Sequence, residues 1–307
     1  MIFVQNLIDS LKRYPVEIRV FSLLSRTSPL TLFKEWRRFR LVEKEFAPHL
    51  IHAHFGTMTA FFSMLAATRP LIITYRGTDL NHAMGMNQTR WALGHLLSQL
   101  AALRAKAIVC VTEELKKRLW WNKEKTQVIA IGVDKSRFFP MPNNEAKTIL
   151  GWDTKIPVVL FHQGNSPSHK GLPLVETAME YVHKKIPEAR LFSFSYEIPP
   201  AEMPIYLNAA DCLAFASHTE GSPTLPKEAI ACALPIVSVE VGDVVQSLDG
   251  VFPSAIVPRS PKEFGEALTS ILKSRKRSNG VELVMSVDEE AKAYYELYQN
   301  VPKSPYL

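Results

Sequence analysis

Two glutamates eight residues apart, Glu220 and Glu228 in HTEGSPTLPKEAIACALPIVSV, are the residues whose type and spacing most directly imply chemistry. A carboxylate accepts paired hydrogen bonds, which suits the vicinal hydroxyls of a ribose or hexose. Between them, Gly221, Pro223 and Pro226 fix a loop whose backbone N–H groups around Ser222, Thr224 and Leu225 can meet phosphate oxygens at a helix start. A ligand carrying both hydroxyls and phosphates is, most naturally, a nucleotide sugar. A second loop, HQGNSPSHKG, offers Gly164 and Gly171 for tight turns and Lys170 as a point charge for a diphosphate. It lacks the GK[ST] ending of a Walker loop and the GxGxxG pattern, so alone it reads equally well as an ordinary turn with a solvated lysine.

In the first half, HAHFG places His52 and His54 on one side of a strand, because side chains alternate. His54 lies nearer the strand's carboxyl end, where it can donate to a sugar hydroxyl or a charge-bearing oxygen; His52 reads better as structural. The turn RGTDL puts Asp79 or the Gly77 backbone at the same edge, with helix or turn capping the equal alternative for Asp79. The remaining histidines are scattered, and Cys110, Cys212 and Cys232 lack any close spacing, so the expectation is no metal, no disulfide framework, buried thiols and no cofactor.

The elements that must hold these residues alternate along the chain. A helix in MIFVQNLIDSLKR and a β-rich run in VEIRVFSLL come first. The helix TLFKEWRRFRLVEKEF and the strand LIHAHF follow, then further helices between the strands LIITYRG, AIVCVT and TQVIAIG. Strands separated by helices of this length give right-handed crossovers and a parallel sheet. The stretch KSRFFPMPNNEAKTILGWDTKIP is turn-rich and interrupts the rhythm, after which PVVLFHQG starts the alternation again. The expected division is residues 1–140, residues 150–285 and a closing helical segment, 286–307. Glu228 is expected to open the helix KEAIACAL. In TLFKEWRRFRLVEKEF, Leu32, Trp36, Phe39, Val42 and Phe46 share a face expected to pack in the core, and the cations on the remaining surface suit an anionic bilayer or a phosphorylated acceptor.

The 307 residues are 47% apolar and 21% charged, a globular composition, with a net charge of +6. Residues 1–140 hold 21 Lys and Arg against 10 Asp and Glu, so the basic character is concentrated there. No zinc-finger spacing, basic glycine-rich tail or aromatic RNA-reading motif points to nucleic acid. No run is long enough to cross a membrane, and the opening has no cleavage-type end. The expected location is cytoplasmic, with peripheral association at the inner face of a membrane.

An ordered set of segments resembles the retaining glycosyltransferases of the large GT4 group. It comprises HAHFGT, RGTDL, AIVCVTEELKKRL, IGVDKSRFFP, HQGNSPSHKG and AADCLAFASHTEGSPTLPKEAIACALPIVSVEVGDV, the last carrying the family's E-x7-E pattern as Glu220 and Glu228. The resemblance implies an α/β GT-B fold, with two Rossmann-like domains facing a cleft. It also implies transfer of a sugar from a nucleotide-sugar donor to a saccharide or lipid-linked acceptor with its α configuration retained. Glu228 would hold the ribose. Glu220 would hold sugar hydroxyls with backbone groups near Ser222, Thr224 and Leu225, Lys170 beside Gly164 would neutralise the diphosphate, and His54 would touch the donor sugar; His54 and Glu220 are thus the expected catalytic residues. Two departures stand out. Asn165 occupies a position where many relatives carry arginine, which would leave the diphosphate leaning on Lys170. The chain also opens at what resembles the family's first helix, so the N-terminal domain is expected to be truncated, lacking a central strand and its glycine-rich turn. A catalytically impaired nucleotide-sugar-binding protein and a sugar-nucleotide epimerase are the alternatives.

Overall fold

The computed structural model describes residues 2–82 and 87–302, with the backbone alone for Ile2 and Phe3. Residues 303–307 of the expected closing segment lie outside the described residues. The chain divides into two compact units. One comprises the residues up to Ile131 together with those from Val287 onward; the other runs from Gly132 to Ser286.

The first unit contains α1 (Ile2–Leu11), α2 (Pro29–Phe46), β1 (Ile51–His54), α3 (Thr57–Ala66), β2 (Leu71–Tyr75), α4 (Gln88–Arg104), β3 (Ala107–Cys110), α5 (Glu113–Lys117) and β4 (Thr126–Val128). Its described strands pair in parallel in the order β1-β2-β3-β4. Leu71 to Tyr75 and Ala107 to Cys110 are buried throughout, as expected of strands covered on both faces. The last helix, Val287–Asn300, belongs to this unit: its Ala291, Tyr294 and Leu297 pack with Leu7, Leu11, Ile72 and Val109.

The second unit contains α6 (Asn143–Ile149), β5 (Val158–His162), α7 (Pro167–Lys170), α8 (Leu172–His183), β6 (Arg190–Phe194), α9 (Met203–Ala209) and β7 (Cys212–Phe215). α10 (Thr224–Ala231), β8 (Ile236–Ser238), α11 (Val244–Ser247), β9 (Ala255–Ile256) and α12 (Pro261–Ser274) complete it. The final helix of the chain is α13 (Val287–Asn300). The sheet is parallel in the order β6-β5-β7-β8-β9. Strand order reverses direction at β5 and β7, and the loops after these two strands are HQGNSPSHKG and the segment carrying Glu220. In open α/β sheets such a switch point is where ligands bind.

Several expectations need correction. VEIRVFSLL is not a strand: residues 16–24 join neither described sheet, and Ser22 and Leu24 instead bond side chains of α2, Ser22 O accepting from Arg38 and Leu24 N–H donating to Glu35. The turn-rich boundary contains the helix α6. α10 begins at Thr224, so Glu228 sits a turn inside the helix instead of opening it; Pro226 is tolerated there because a first-turn residue needs no intrahelical donor. The expected apolar stripe of α2 is only partly internal. Phe39 is buried, while Trp36 is exposed and the acids Glu35 and Glu43 are buried in its stead. All three cysteines are free and buried, and burial pushes the Cys232 thiol up to about 12.

Candidate active site

At the carboxyl edge of the second sheet, the two loops singled out in the sequence meet. β5 ends at His162, Gly164 turns with φ +55°, and α7 closes on Lys170. Gly171 then takes φ +85°, and a Cβ there would stand 2.1 Å from the carbonyl oxygen of Ala216, the residue following β7. Only glycine allows that approach. The contact locks one loop against the other, and the His218 N–H donates to His169 O at 2.9 Å beside it. Lys170 consequently reaches across, and its Nζ donates to Glu220 Oε1 at 2.5 Å. His162 lines the same place: burial, then the Lys170 charge, holds its imidazole below the usual histidine range, and it therefore stays neutral.

The segment after Glu220 is pinned from beneath. Lys227, buried in α10, donates to Asp243 Oδ2 at 2.7 Å and to Ser222 Oγ at 2.6 Å, and Ser222 Oγ itself donates to Asp243 Oδ2. The Ser222 hydroxyl is thus committed to the protein, leaving its backbone as the part that can face a ligand. Gly242 closes the arrangement, since a Cβ there would stand 2.8 Å from Gly221 O. The residue preceding α10 is Pro223, which supplies no capping side chain. The first-turn N–H groups at Thr224 and Leu225 therefore keep their donors directed outward from the helix start, the arrangement that attracts phosphate.

Glu228 lies on α10, half-buried, and makes no side-chain hydrogen bond among the described residues. Burial pushes its carboxyl up to about 7, with the Arg137 charge pulling the other way. A half-buried carboxylate that no protein donor among the described residues satisfies is poised to accept donors from a ligand. The structure thus brings Gly164, Lys170 and Glu220 into contact and sets Ser222, Thr224, Leu225 and Glu228 along the loop and helix that follow. Sequence reasoning missed His162, Arg137 and the Lys227–Asp243 pair. His162 was findable as the last residue of a strand feeding the glycine loop; the buried pair, sixteen residues apart in sequence, left no local signal.

His54 belongs to the first unit and has its own surroundings. Its Nδ1 stands 3.2 Å from an Arg76 guanidinium nitrogen, and because guanidinium only donates, Nδ1 must accept. The proton of the neutral ring is therefore on Nε2. Burial, then His52 and Arg76, holds the His54 imidazole well below its ordinary range. His52 is structural, as its partners imply: Nδ1 is 2.7 Å from the Tyr298 hydroxyl and Nε2 is 2.7 Å from that of Thr74, and burial lowers it to about 3. Asp79 caps the turn, accepting from the N–H groups of Gly56, Arg76 and Gly77. Next to His54, Phe55 (φ 93°) and Thr57 (φ 52°) hold left-handed backbone that non-glycine residues seldom adopt, and the Thr57 N–H is anchored on Ser98 Oγ at 2.7 Å.

The family description Glycosyltransferase Family 4 matches residues 3–137, and Glycosyl transferases group 1 matches residues 175–274. Both matches are to glycosyltransferase families, and the chain is similar to glycosyltransferases in each of its two units. TuaC of Bacillus subtilis (strain 168), named as a candidate teichuronic acid biosynthesis glycosyltransferase, is 26% identical over an alignment covering 85% of this chain and 73% of TuaC. Among solved structures, the sucrose-phosphate synthase of Thermosynechococcus elongatus superposes with a TM-score of 0.76 at 18% identity, covering 97% of this chain and 92% of that one. HepE of Anabaena, solved with UDP, gives 0.69 at 16% identity, covering 95% and 88%. These likenesses give the fold: two parallel-sheet α/β units of the GT-B type. Within this glycosyltransferase, the E-x7-E glutamates occupy the loop and helix that follow the central strand β7 of the second sheet.

Proposed function

We propose that this glycosyltransferase moves a sugar from a nucleoside-diphosphate sugar to a saccharide or lipid-linked acceptor with retention of configuration, and that the donor binds at the carboxyl edge of the second sheet. The observation that carries the reading is the contact of Lys170 with Glu220 at 2.5 Å, beside a helix start that has no capping side chain. In the free chain the two charges satisfy each other. A donor satisfies both at once: its diphosphate takes Lys170 and the first-turn N–H groups of α10, and its sugar hydroxyls donate to Glu220. Glu228 accepts from the ribose hydroxyls. The bond between the anomeric carbon and the phosphate oxygen breaks, with its electrons passing to the diphosphate. The acceptor oxygen bonds that carbon on the same face and gives its proton to the departing phosphate oxygen. Fixed positive groups around the phosphate stabilise the charge that develops there. His54 acts on the substrate as a neutral Nε2–H donor.

The test is a binding and turnover panel of nucleoside-diphosphate sugars, with the anomeric configuration of product read by NMR. Lys170→Ala is expected to weaken the preferred nucleoside diphosphate by at least about tenfold, since a hydrogen bond to a charged group contributes roughly 1.5–3 kcal/mol. Unchanged affinity would remove the lysine from the site, and an inverted product would reject same-face substitution.

A further inference from the structure

α2 is turned inside out relative to an ordinary surface helix. Two of its three acids, Glu35 and Glu43, face inward. Glu35 accepts from the Leu24 N–H and pairs with Arg38, and Glu43 accepts from the Thr68 and Arg69 N–H groups and pairs with Arg40. Phe39 is buried, but four of the helix's large apolar residues face outward: Leu30 is 80% exposed, Phe33 60%, Trp36 41% and Leu41 69%. At 100° per residue these four fall on one side of the helix together with Lys34, Arg37 and Lys44, all exposed. Among the described residues these three cations make no ion pair, and the helix's one exposed acid, Glu45, is paired with Arg19. Phe33 and Trp36 stack on each other, ring centroids 6.1 Å apart. Leu24, 78% exposed, is held beside the helix by its bond to Glu35.

Single exposed apolar side chains are ordinary, but four on one helix face interleaved with cations are not. The buried acids explain how the face comes about: backbone amides of the neighbouring segments satisfy them, which rotates the apolar residues outward. Cations among Trp, Phe and Leu match a surface that is anionic outside and apolar just beneath, where lysine and arginine keep their charged ends at the headgroups while their stems and the aromatic rings sink. A protein groove would have to supply both an apolar wall and a matched set of acids.

We propose that the outward face of α2 docks on the surface of a bilayer containing anionic glycerophospholipid, with Leu30, Phe33, Trp36 and Leu41 entering the interface and Lys34, Arg37 and Lys44 engaging the headgroups. The inference rests on this face alone and stands apart from the donor reading, because nucleoside-diphosphate affinity measured without lipid tests that reading by itself.

The experiment is co-sedimentation of the full chain with phosphatidylcholine vesicles made with and without phosphatidylglycerol. Binding is expected only when phosphatidylglycerol is present and is expected to weaken with salt. Lys34→Glu with Arg37→Glu, and separately Leu30→Ser with Phe33→Ser, should each reduce vesicle affinity at least about tenfold while leaving nucleoside-diphosphate affinity and the melting temperature near wild type. Should a double variant fail to fold, quenching by brominated phosphatidylglycerol decides: the wild type should be quenched, and Trp36→Phe should lose most of that quenching. The proposal is overturned if the wild type ignores both kinds of vesicle, if a folded double variant binds as the wild type does, or if Trp36→Phe is quenched as strongly as wild type. Concentration-dependent dimerisation that the same substitutions abolish, without vesicle binding, would assign the face to a second copy and equally overturn it.

Discussion

In the proposed donor site, Glu228 would couple ligand binding to protons. Burial holds its carboxyl up to about 7, and the folded chain therefore favours the protonated form below neutrality. Ribose hydroxyls must donate, and only the ionised carboxylate accepts with both oxygens. Binding below pH 7 should therefore release a proton, and donor affinity should climb by up to about tenfold per pH unit between roughly pH 5 and 7, then level. Glu228→Gln should bind at least about tenfold more weakly at pH 8 and lose that slope; calorimetry in buffers of different ionisation heat reads both, and a variant with the wild-type slope would exclude Glu228 as the cause. The free chain should show the opposite sign. A raised carboxyl contributes stability that is complete below its unfolded value of 4.5 and is lost as pH rises through about 7. The glutamine variant should accordingly melt higher than wild type at pH 8 and match it near pH 4. His54 poses the complementary case. It is neutral, with its proton fixed on Nε2 by Arg76. If it donates to substrate in the transition state, His54→Ala should cut kcat by about a hundredfold and leave nucleoside-diphosphate affinity unchanged; a loss in affinity alone would make it a binding residue only.

The elements matter through how closely they approach. Gly171 lets the loop after β5 lie against the end of β7, and that contact is what carries Lys170 to Glu220. Gly171→Ala should therefore destabilise the second unit by about 3 kcal/mol or more, combining left-handed strain with a collision against backbone. Gly164→Ala is the control. It shares a positive φ, but its Cβ would make only ordinary side-chain contacts, with Lys170 from 3.4 Å and His162 Cε1 at 3.7 Å, and about 1 kcal/mol is expected. Equal losses in urea unfolding for the two would deny the close approach its role. This pair also marks the limit of what periodicity and motif spacing reveal. Glycine and lysine in one loop and glutamates in another were readable as ends of strands, and their meeting at one sheet edge followed from a parallel topology. The contacts that immobilise them were not readable, because Lys227 finds Asp243, and Gly171 finds Ala216, only after folding. α2 misled for the same reason. Its amphipathic pattern assigned Trp36 inward, but amides of Leu24, Thr68 and Arg69 stabilise two buried glutamates and turn the helix. VEIRVFSLL has the β-prone composition of a strand, yet composition supplies no ladder partner, and the run stays unpaired.

At the scale of the molecule, the two units have different chain connectivity. The second is one continuous stretch, Gly132 to Ser286, with its own core, from Val159 and Leu160 through Leu213 and Ile236 to Phe264. The first needs both ends of the chain, because α13 completes it. Ala291, Tyr294, Leu297 and Val301 are buried against Leu7, Leu11, Ile72 and Val109, Tyr295 stacks on Tyr14 with ring centroids 4.6 Å apart, and the Tyr298 hydroxyl is the Nδ1 partner of His52. Ending the chain at Ser286 would expose the apolar surface that Tyr294, Leu297 and Val301 cover, a loss of order 5 kcal/mol or more at roughly 1.5–3 kcal/mol for each buried side chain. That is comparable to the whole stability of an ordinary domain. It would also strip buried hydrogen-bond partners from His52 and Thr74. The shortened chain should therefore lose the cooperative unfolding of the first unit in calorimetry, with amide protection gone from β1 to β4, and it should lose sugar transfer. The second unit should keep its melting transition and its nucleoside-diphosphate affinity within about twofold, since none of its core residues is removed. Retention of protection in β2 and β3 would show that α13 is dispensable to the first core, and loss of nucleotide affinity would show that the donor site depends on more than the continuous unit that carries Lys170, Glu220 and Glu228.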